Sequence, residues 1–353
     1  MPKFRFTEIA INSTEKKKPV EEDKFTYIGL EHLDSGTLTV SRWGSDIAPI
    51  GEKLVMKKGD VLFGKRRAYQ KKVGIAPFDG IFSAHGMVLR PREEVITKEY
   101  FPLFISSDYF LNEAIRISVG SLSPTVNWKD LKDLEFTIPS IEEQKRITPL
   151  IWAAIEAKNA YKEQIKCTDD LVKSQFIEMF SETKNRIELN KICSISSGNS
   201  LTSNDIIENN DGNLYPVYGG HGLRGYYTDY NCDGPKVLVG RVGAQAGNVI
   251  LGVGKYFATE HALVCDIKDP EVEPLWLMYC LELENLFKLA KGAAQPVIAA
   301  SVLGKLKIVY PSNVHQKQFV ELYRQSDKSK FELQQAVEKV DNLIKSLIQQ
   351  DNN

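Results

Sequence analysis

The chain is written twice. Gly59-Asp-Val-Leu-Phe-Gly-Lys65 is matched by Gly234-Pro-Lys-Val-Leu-Val-Gly-Arg241, and Phe82-Ser-Ala-His85-Gly-Met-Val88 by Ala258-Thr-Glu-His261-Ala-Leu-Val264. Both pairs keep one offset, since 237 − 61 and 261 − 85 are each 176. Farther on, Gly120-Ser-Leu-Ser-Pro124 is matched by Gly292-Ala-Ala-Gln-Pro296, and Pro139-Ser140 with Gln144 by Pro311-Ser312 with Gln316, now 172 apart (311 − 139). One loop of the second copy is therefore four residues shorter. A period this long is far beyond solenoid repeats of roughly 20–50 residues. It describes a duplicated domain, in which each copy must bury a core of its own. A length of 353 residues suggests two to three domains as a prior, and the repeat makes it two, each with an appendage.

Both halves run in the same order, a glycine-rich β body followed by a long helix. Val61-Leu-Phe and Met87-Val-Leu, with their counterparts Val237-Leu-Val and Ala262-Leu-Val, are short apolar runs that read as buried strands. Residues 100–116 and 274–289 are apolar at helical spacing and predict helices packed on the sheet. Ser140-Ile-Glu-Glu143 has the form of a capping box. Beyond it Ile147, Ile151, Ala154, Tyr161, Ile165, Val172, Gln175 and Met179 follow 4,3 steps, interrupted by Lys158 and Thr168. Pro149 predicts a kink, or the start of the straight part. Leu333, Ala336, Val340, Leu343 and Leu347 give a second seam. The fold expected is α+β: two tandem, pseudo-repeated bodies, each a twisted β-sheet with packed helices, and two long helices forming an antiparallel coiled coil. The alternative is that each helix lies on its own body. The divisions are 1–139, 140–182, 183–311 and 312–350.

Composition excludes several classes. No run of about 18 apolar residues exists, so no membrane span is expected. The start, Met-Pro-Lys-Phe-Arg-Phe, has no apolar core of a secretory signal, and a cytoplasmic protein is expected. Five scattered cysteines without Cys-x-x-Cys argue against a zinc site or a disulfide framework. The balance of 45 basic against 46 acidic residues is not that of a protein gripping DNA unaided. It leaves no nucleic acid, offset basic patches, or a partner sharing the phosphate contacts.

The strongest local charge is Lys57 to Lys72, with seven basic residues and one acid. Strand Val61-Leu-Phe delivers Lys65, Arg66 and Arg67 to a loop that also carries Tyr69, Gln70, Lys71 and Lys72. Arginine reads guanine, glutamine reads adenine and lysine neutralises phosphate. DNA contact and a solvated charged loop are the two readings, and the repeat position favours DNA. The second copy offers Arg241, Gln245 and Asn248, preceded by Tyr218, His221 and Arg224 among glycines. Either these face a groove, or the glycines form a turn with the aromatics in the core. His85 and His261 are equivalent; with no nucleophile nearby, and Glu260 in one copy only, structural or DNA-contacting roles are favoured over general-base work. The phosphate loop G-x-x-x-x-G-K-[ST] is absent, as is the Asp/Asn-Pro-Pro-Tyr/Phe of amino-methyltransferases, and Gly240, Gly243 and Gly247 are not spaced as G-x-G-x-x-G. Glu143-Gln-Lys145 matches only the end of a nuclease motif. No catalytic residue and no metal site is assigned.

Taken together, Gly59–Lys65, the Phe82–His85 segment, Pro139-Ser140 with Gln144-Lys-Arg-Ile147, and Tyr215-Pro-Val-Tyr-Gly with Gly234–Arg241 resemble the specificity subunits of type I restriction–modification systems. The resemblance spans nearly the whole chain. It implies a non-catalytic reader in which each body is a target-recognition domain for half of a bipartite, asymmetric double-stranded DNA sequence. The helices would be the spacer and the dock for methyltransferase subunits that modify adenine with S-adenosylmethionine. A restriction–translocase subunit using ATP and Mg would join them, leaving this chain without a cofactor. Two other readings are a recognition subunit of a related, non-type-I system and a stand-alone nuclease or transferase.

Overall fold

The computed structural model describes every residue except Met1, Asp211, Ala293, Ala294 and residues 350–353. The two alanines of the matched Gly292–Pro296 segment and the end of the 312–350 helix thus lie outside the described residues. The chain divides into two compact units, Met1–Glu163 with Gln334–Asn353, and Gln164–Leu333. These do not follow the divisions drawn from sequence, because each unit takes in part of both long helices.

In the first unit, strands Ala10–Ser13, Met87–Pro91, Val61–Phe63 and Val73–Ile75 form an antiparallel sheet in that order. A second sheet runs Lys16–Lys17, Lys53–Met56, Gly80–Phe82, Tyr27–Ile28, its last pair parallel. The body is therefore two four-stranded sheets, with the antiparallel pair Lys3–Arg5 and Glu135–Thr137 beside them. Strand Val61–Phe63 lies between layers. Val61 and Phe63 join Phe6, Phe104, Phe110 and Phe136 in the helix-side core, while Leu62 meets Met56, Phe82 and Val88 between the sheets. A strand buried on both faces reads as continuous apolar sequence, which is why both copies are uniform there. The second unit repeats this arrangement, with Val237, Val239, Leu263 and Cys265 on the helix side and Leu238 and Val264 between sheets. Its sheets run Cys193–Ser197, Ala262–Ile267, Lys236–Gly240, Val249–Gly252, and Gly222–Tyr227, Tyr215–Gly219, Lys255–Ala258, Cys232–Asp233.

One buried pair distinguishes the copies. Asp60 accepts two bonds from Arg90, at 2.7 and 2.8 Å. The residues 176 positions on, Lys236 and Asp266, pair at 2.5 Å with the charges exchanged.

The helix expected over 100–116 is two, Phe101–Ser106 and Asp108–Arg116. Ser107 between them is extended, and its hydroxyl accepts from Phe110 N, capping the second. Likewise 274–289 is a helix only over Pro274–Leu283, followed by a separate 3-10 turn at Leu286–Leu289.

The first long helix spans Ile141–Phe180 and runs through Pro149 without ending; the second spans Asn313–Gln349. Ser140 caps as expected, accepting from Glu143 N at 3.2 Å. The reciprocal half of the capping box is not formed. Glu143 turns to Arg146 at 2.7 Å instead, a charge-assisted bond that competes with the neutral backbone N–H. At the second start Ser312 Oγ meets His315 Nδ1 at 3.0 Å. Gln144 and Gln316, both fully buried, tie each helix to its body. Gln144 accepts from Thr97 N and donates to the carbonyls of Val95 and Pro139. Gln316 accepts from Glu273 N and donates to Pro311 O.

Within the first unit the helix segments pack antiparallel: Lys158 pairs with Asp341 at 2.9 Å, and Ile147 and Ile151 share a core with Ile348. Within the second, Asp169 pairs with Lys330 at 2.7 Å, and Phe176 packs on Phe319. Lys158, an interruption in the sequence pattern, thus meets a partner of opposite charge. Thr168 bonds back to Gln164 O. Leu343 is misplaced by the seam drawn from sequence: it is half exposed, and Ile344, one residue on, packs against the first core. None of the described helices is long and apolar enough to cross a membrane.

Candidate nucleic-acid interface

The loop 64–72 of the first unit keeps its path through backbone bonds. Gly64 N donates to Lys72 O at 2.9 Å, Arg66 N to His85 O at 3.2 Å, Arg67 N to Pro124 O at 2.6 Å, and Val126 N to Lys65 O at 2.9 Å. The second unit repeats most of this: Gly240 N to Asn248 O, Gly243 N to Pro296 O and Ile298 N to Arg241 O, at 2.7–2.9 Å. The left-handed backbone positions also coincide. Arg67 (φ 56°) and Lys71 (φ 50°) are the only non-glycine residues with positive φ among those described, and their equivalents are Gly243 (φ 73°) and Gly247 (φ 92°). Left-handed backbone is disfavoured for residues with a Cβ. The first copy holds an arginine where the second has the residue the geometry prefers, and such strain concentrates at functional sites.

The side chains of the first loop divide into two groups. Arg66 and Arg67 are exposed. Arg66 comes within 3.5 Å of His85 Nε2, and Arg67 Nε lies 3.4 Å from Ser123 Oγ. Tyr69 is about half exposed at 53%, with Gln70 beside it on the 3-10 turn. Lys65 is half-buried, and burial, with Lys16 second, lowers its pKa from the ordinary lysine value. It lines a pocket of about 160 Å³ with Asn12, Ser13, Lys16, Asn127 and Trp128. Lys71 and Lys72 are half-buried and paired. Lys71 pairs with Asp108 at 2.6 Å, and Lys72 donates to Leu30 O at 2.7 Å. Both ammonium groups thus hold an acceptor within the protein.

In the second unit Arg241 is half-buried and donates to Ser197 Oγ at 2.7 Å, while its backbone N–H bonds His261 O at 2.8 Å. Gln245 and Asn248 are exposed on the loop. Gly240 is required there: a Cβ would fall 2.3 Å from Gln245 O and 2.5 Å from Gly220 O. The Tyr215–Gly219 and Gly222–Tyr227 hairpin therefore seats against this loop, carrying exposed His221 at its turn and exposed Arg224 on its second strand. Tyr218 is partly buried against the core between the sheets, packed on Tyr256 at 5.4 Å. His261 lies 3.5 Å from Glu260.

Two contributors were missed from sequence. Segment 119–125 supplies Ser123 and Pro124 to the first loop; its repeated Gly–Pro frame was the available signal. Glu260 was seen and set aside for lacking a counterpart. Among the described residues no group of three or more His, Cys, Asp or Glu could hold a metal ion.

Comparison with known proteins agrees with the duplication. The family profile described as the type I restriction modification DNA specificity domain matches twice, over residues 6–166 and 181–340. A stretch of 128 residues is 37% identical to the type I restriction enzyme EcoprrI specificity subunit of Escherichia coli, covering 36% of this chain and 32% of that protein. Another of 146 residues is 25% identical to the EcoDI specificity subunit of the same organism, covering 41% and 32%. The matched stretch thus spans about a third of each curated relative. The crystal structure of a type I restriction–modification system S subunit from M. genitalium shares the fold at TM-score 0.63 and 17% identity, covering 98% of this chain and 96% of that one. A chain from a structure concerned with complex assembly and conformational transition of the type I R-M system does so at 0.60 and 20%, covering 99% and 97%. With both bodies matched in order and the profile spanning most of its length, the chain belongs to the type I restriction modification DNA specificity domain family, carrying the domain twice.

Proposed function

We propose that this chain is the specificity subunit of a type I restriction–modification system, and that its two units read the two halves of a bipartite, asymmetric sequence in double-stranded DNA. One observation carries the reading. The two loops share most of their backbone bonds, yet present different exposed side chains, Arg66 and Arg67 in one and Gln245 and Asn248 in the other. A duplicated scaffold with altered tips suits a protein that reads two different words. Arg66, Arg67, His85, Tyr69 and Gln70 face the first half; Gln245, Asn248, His221, Arg224 and His261 face the second. Base edges specify while phosphate contacts position.

The chain performs no chemistry in this reading. Methyltransferase subunits holding S-adenosylmethionine methylate adenine, and a restriction–translocase subunit supplies cleavage with ATP and Mg, all in the cytoplasm. The even balance of 45 basic and 46 acidic residues supports a reader that shares phosphate contacts with its partners. The test is methylation-aware sequencing of DNA from cells expressing the chain with its partner subunits. Two short blocks separated by unspecified bases are expected. A continuous single block, or methyl transfer by the pure chain alone, refutes the reading.

A further inference from the structure

The turn at 258–262 in the second unit has no chemical equivalent in the first. Among the described residues six buried side-chain atoms lack a hydrogen-bond partner, and three of them, Arg241 Nε, Thr259 Oγ1 and Glu260 Oε2, belong to this turn and the arginine beside it. These three atoms are enclosed by the protein, so the oxygen that Glu260 offers outward is Oε1. In the first unit the corresponding residues are Lys65, Ser83 and Ala84. Ser83 there accepts from His85 N at 3.3 Å, and Ala84 brings no polar side-chain atom at all.

Glu260 sits where the reading elements meet. Its N–H bonds Asn199 O at 3.0 Å, and the next residue accepts from Arg241 N. Arg241 leads into the loop of Gln245 and Asn248. The Glu260 side chain is about one-third exposed, its Oε1 3.5 Å from His261 Nε2. A carboxylate facing DNA is repelled by phosphate unless it accepts from a donor on the bases. The major groove presents such donors only as the exocyclic amino groups of cytosine and adenine.

We propose that Glu260 is the specificity-determining residue of the second unit, accepting a hydrogen bond from an exocyclic amino group, cytosine N4 or adenine N6, in the major groove. The inference rests on the DNA-reading role set out above. The two units then read opposite chemistries. The first offers Arg66 and Arg67, donors suited to the acceptor edge of guanine, and the second adds a carboxylate acceptor that the first lacks.

The test is affinity selection from a randomised duplex pool with the full chain in its assembly, comparing wild type with Glu260→Ala, Glu260→Gln and Ala84→Glu. Wild type is expected to enrich cytosine or adenine at one position of the second half. Glu260→Ala should lower that preference roughly 5- to 150-fold and leave the first half intact. Glutamine pairs with adenine, so Glu260→Gln should retain an adenine preference but convert a cytosine preference to adenine. Ala84→Glu should create a preference for an amino-bearing base in the first half. An unchanged motif in Glu260→Ala overturns the proposal, as does uniform tightening on all sequences, which would make the carboxylate a mere repulsive charge. If the Glu260 variants misfold, seen as loss of both halves, the Ala84→Glu arm decides, and no new preference there overturns the proposal. A wild-type chain that enriches no sequence would instead overturn the reading role itself.

Discussion

Arg67 combines left-handed backbone with an exposed guanidinium, so stability and recognition are expected to move in opposite directions when it is replaced by glycine. A non-glycine residue in this region costs about 1–2 kcal/mol, and glycine returns about 0.5–1 kcal/mol of that through greater freedom in the unfolded chain. Arg67→Gly should therefore be more stable than Arg67→Ala by about 0.5–1 kcal/mol, a shift of a few degrees in melting temperature for a domain of this size. Both variants lose the guanidinium. If it reads a base, each loses about 1–3 kcal/mol at the first half-site, roughly 5- to 150-fold in discrimination, with the second half untouched. Alanine is the control that keeps the strain and removes the reader. Paired urea titrations and half-site competition binding measure both quantities. Equal stability of the glycine and alanine variants would refute the strain assignment. Wild-type discrimination in either would refute the recognition role.

Exchanging the Asp60–Arg90 pair for the polarity of Lys236–Asp266 gives a double-mutant cycle. Asp60→Lys or Arg90→Asp alone should destabilise by about 2–4 kcal/mol, and the double variant should recover part of it; additive losses in urea midpoints would deny any coupling. Recovery stays partial because Asp60 also accepts from Lys57 N at 2.7 Å, which lysine cannot do. Gln144→Leu strands the part-buried Thr97 N–H and the carbonyls of Val95 and Pro139, at about 2–4 kcal/mol; calorimetry showing a neutral effect would remove the tie between helix and body. Burial pushes the thiols of Cys193 and Cys280 up to about 12 and raises those of Cys232 and Cys265. Thiolate is the reactive form, so alkylation near pH 8 should label exposed Cys167 first and the other four only on unfolding. Mass spectrometry showing early modification of a second cysteine would contradict the packing.

What was legible in the sequence followed from local constraint. Val61-Leu-Phe and its copy could be read as strands because both faces are buried and the pattern is uniform. Gln144 and Gln316 were matched as a repeated pair, though not as backbone clamps. The errors arose where a partner distant in sequence decides. Lys71 pairs with Asp108 and Tyr218 packs on Tyr256, neighbours that only the fold supplies. Leu343 and Ile344 are equally apolar, and only packing against the first core selects the second. Glu143 fits the capping pattern, but a guanidinium one turn on outcompetes a backbone N–H. Glu260 escaped because the repeat was searched for likeness, whereas a reader's chemistry lies where its copies differ.

The backbone bonds that hold loop 64–72 and its counterpart from both sides have a consequence for how such proteins change. Lys72 and Pro124, like Asn248 and Pro296, fasten the path by main-chain carbonyls that any residue supplies, while Gly240 stays fixed by the space a Cβ would need. Side chains at the tip can then be exchanged singly, with little penalty passed to the core. New sequence preferences become reachable by point substitution, and a tip could be transplanted from one copy to the other. In a lineage under pressure to alter what it reads, the loop behaves as a socket, and the duplication provides two of them.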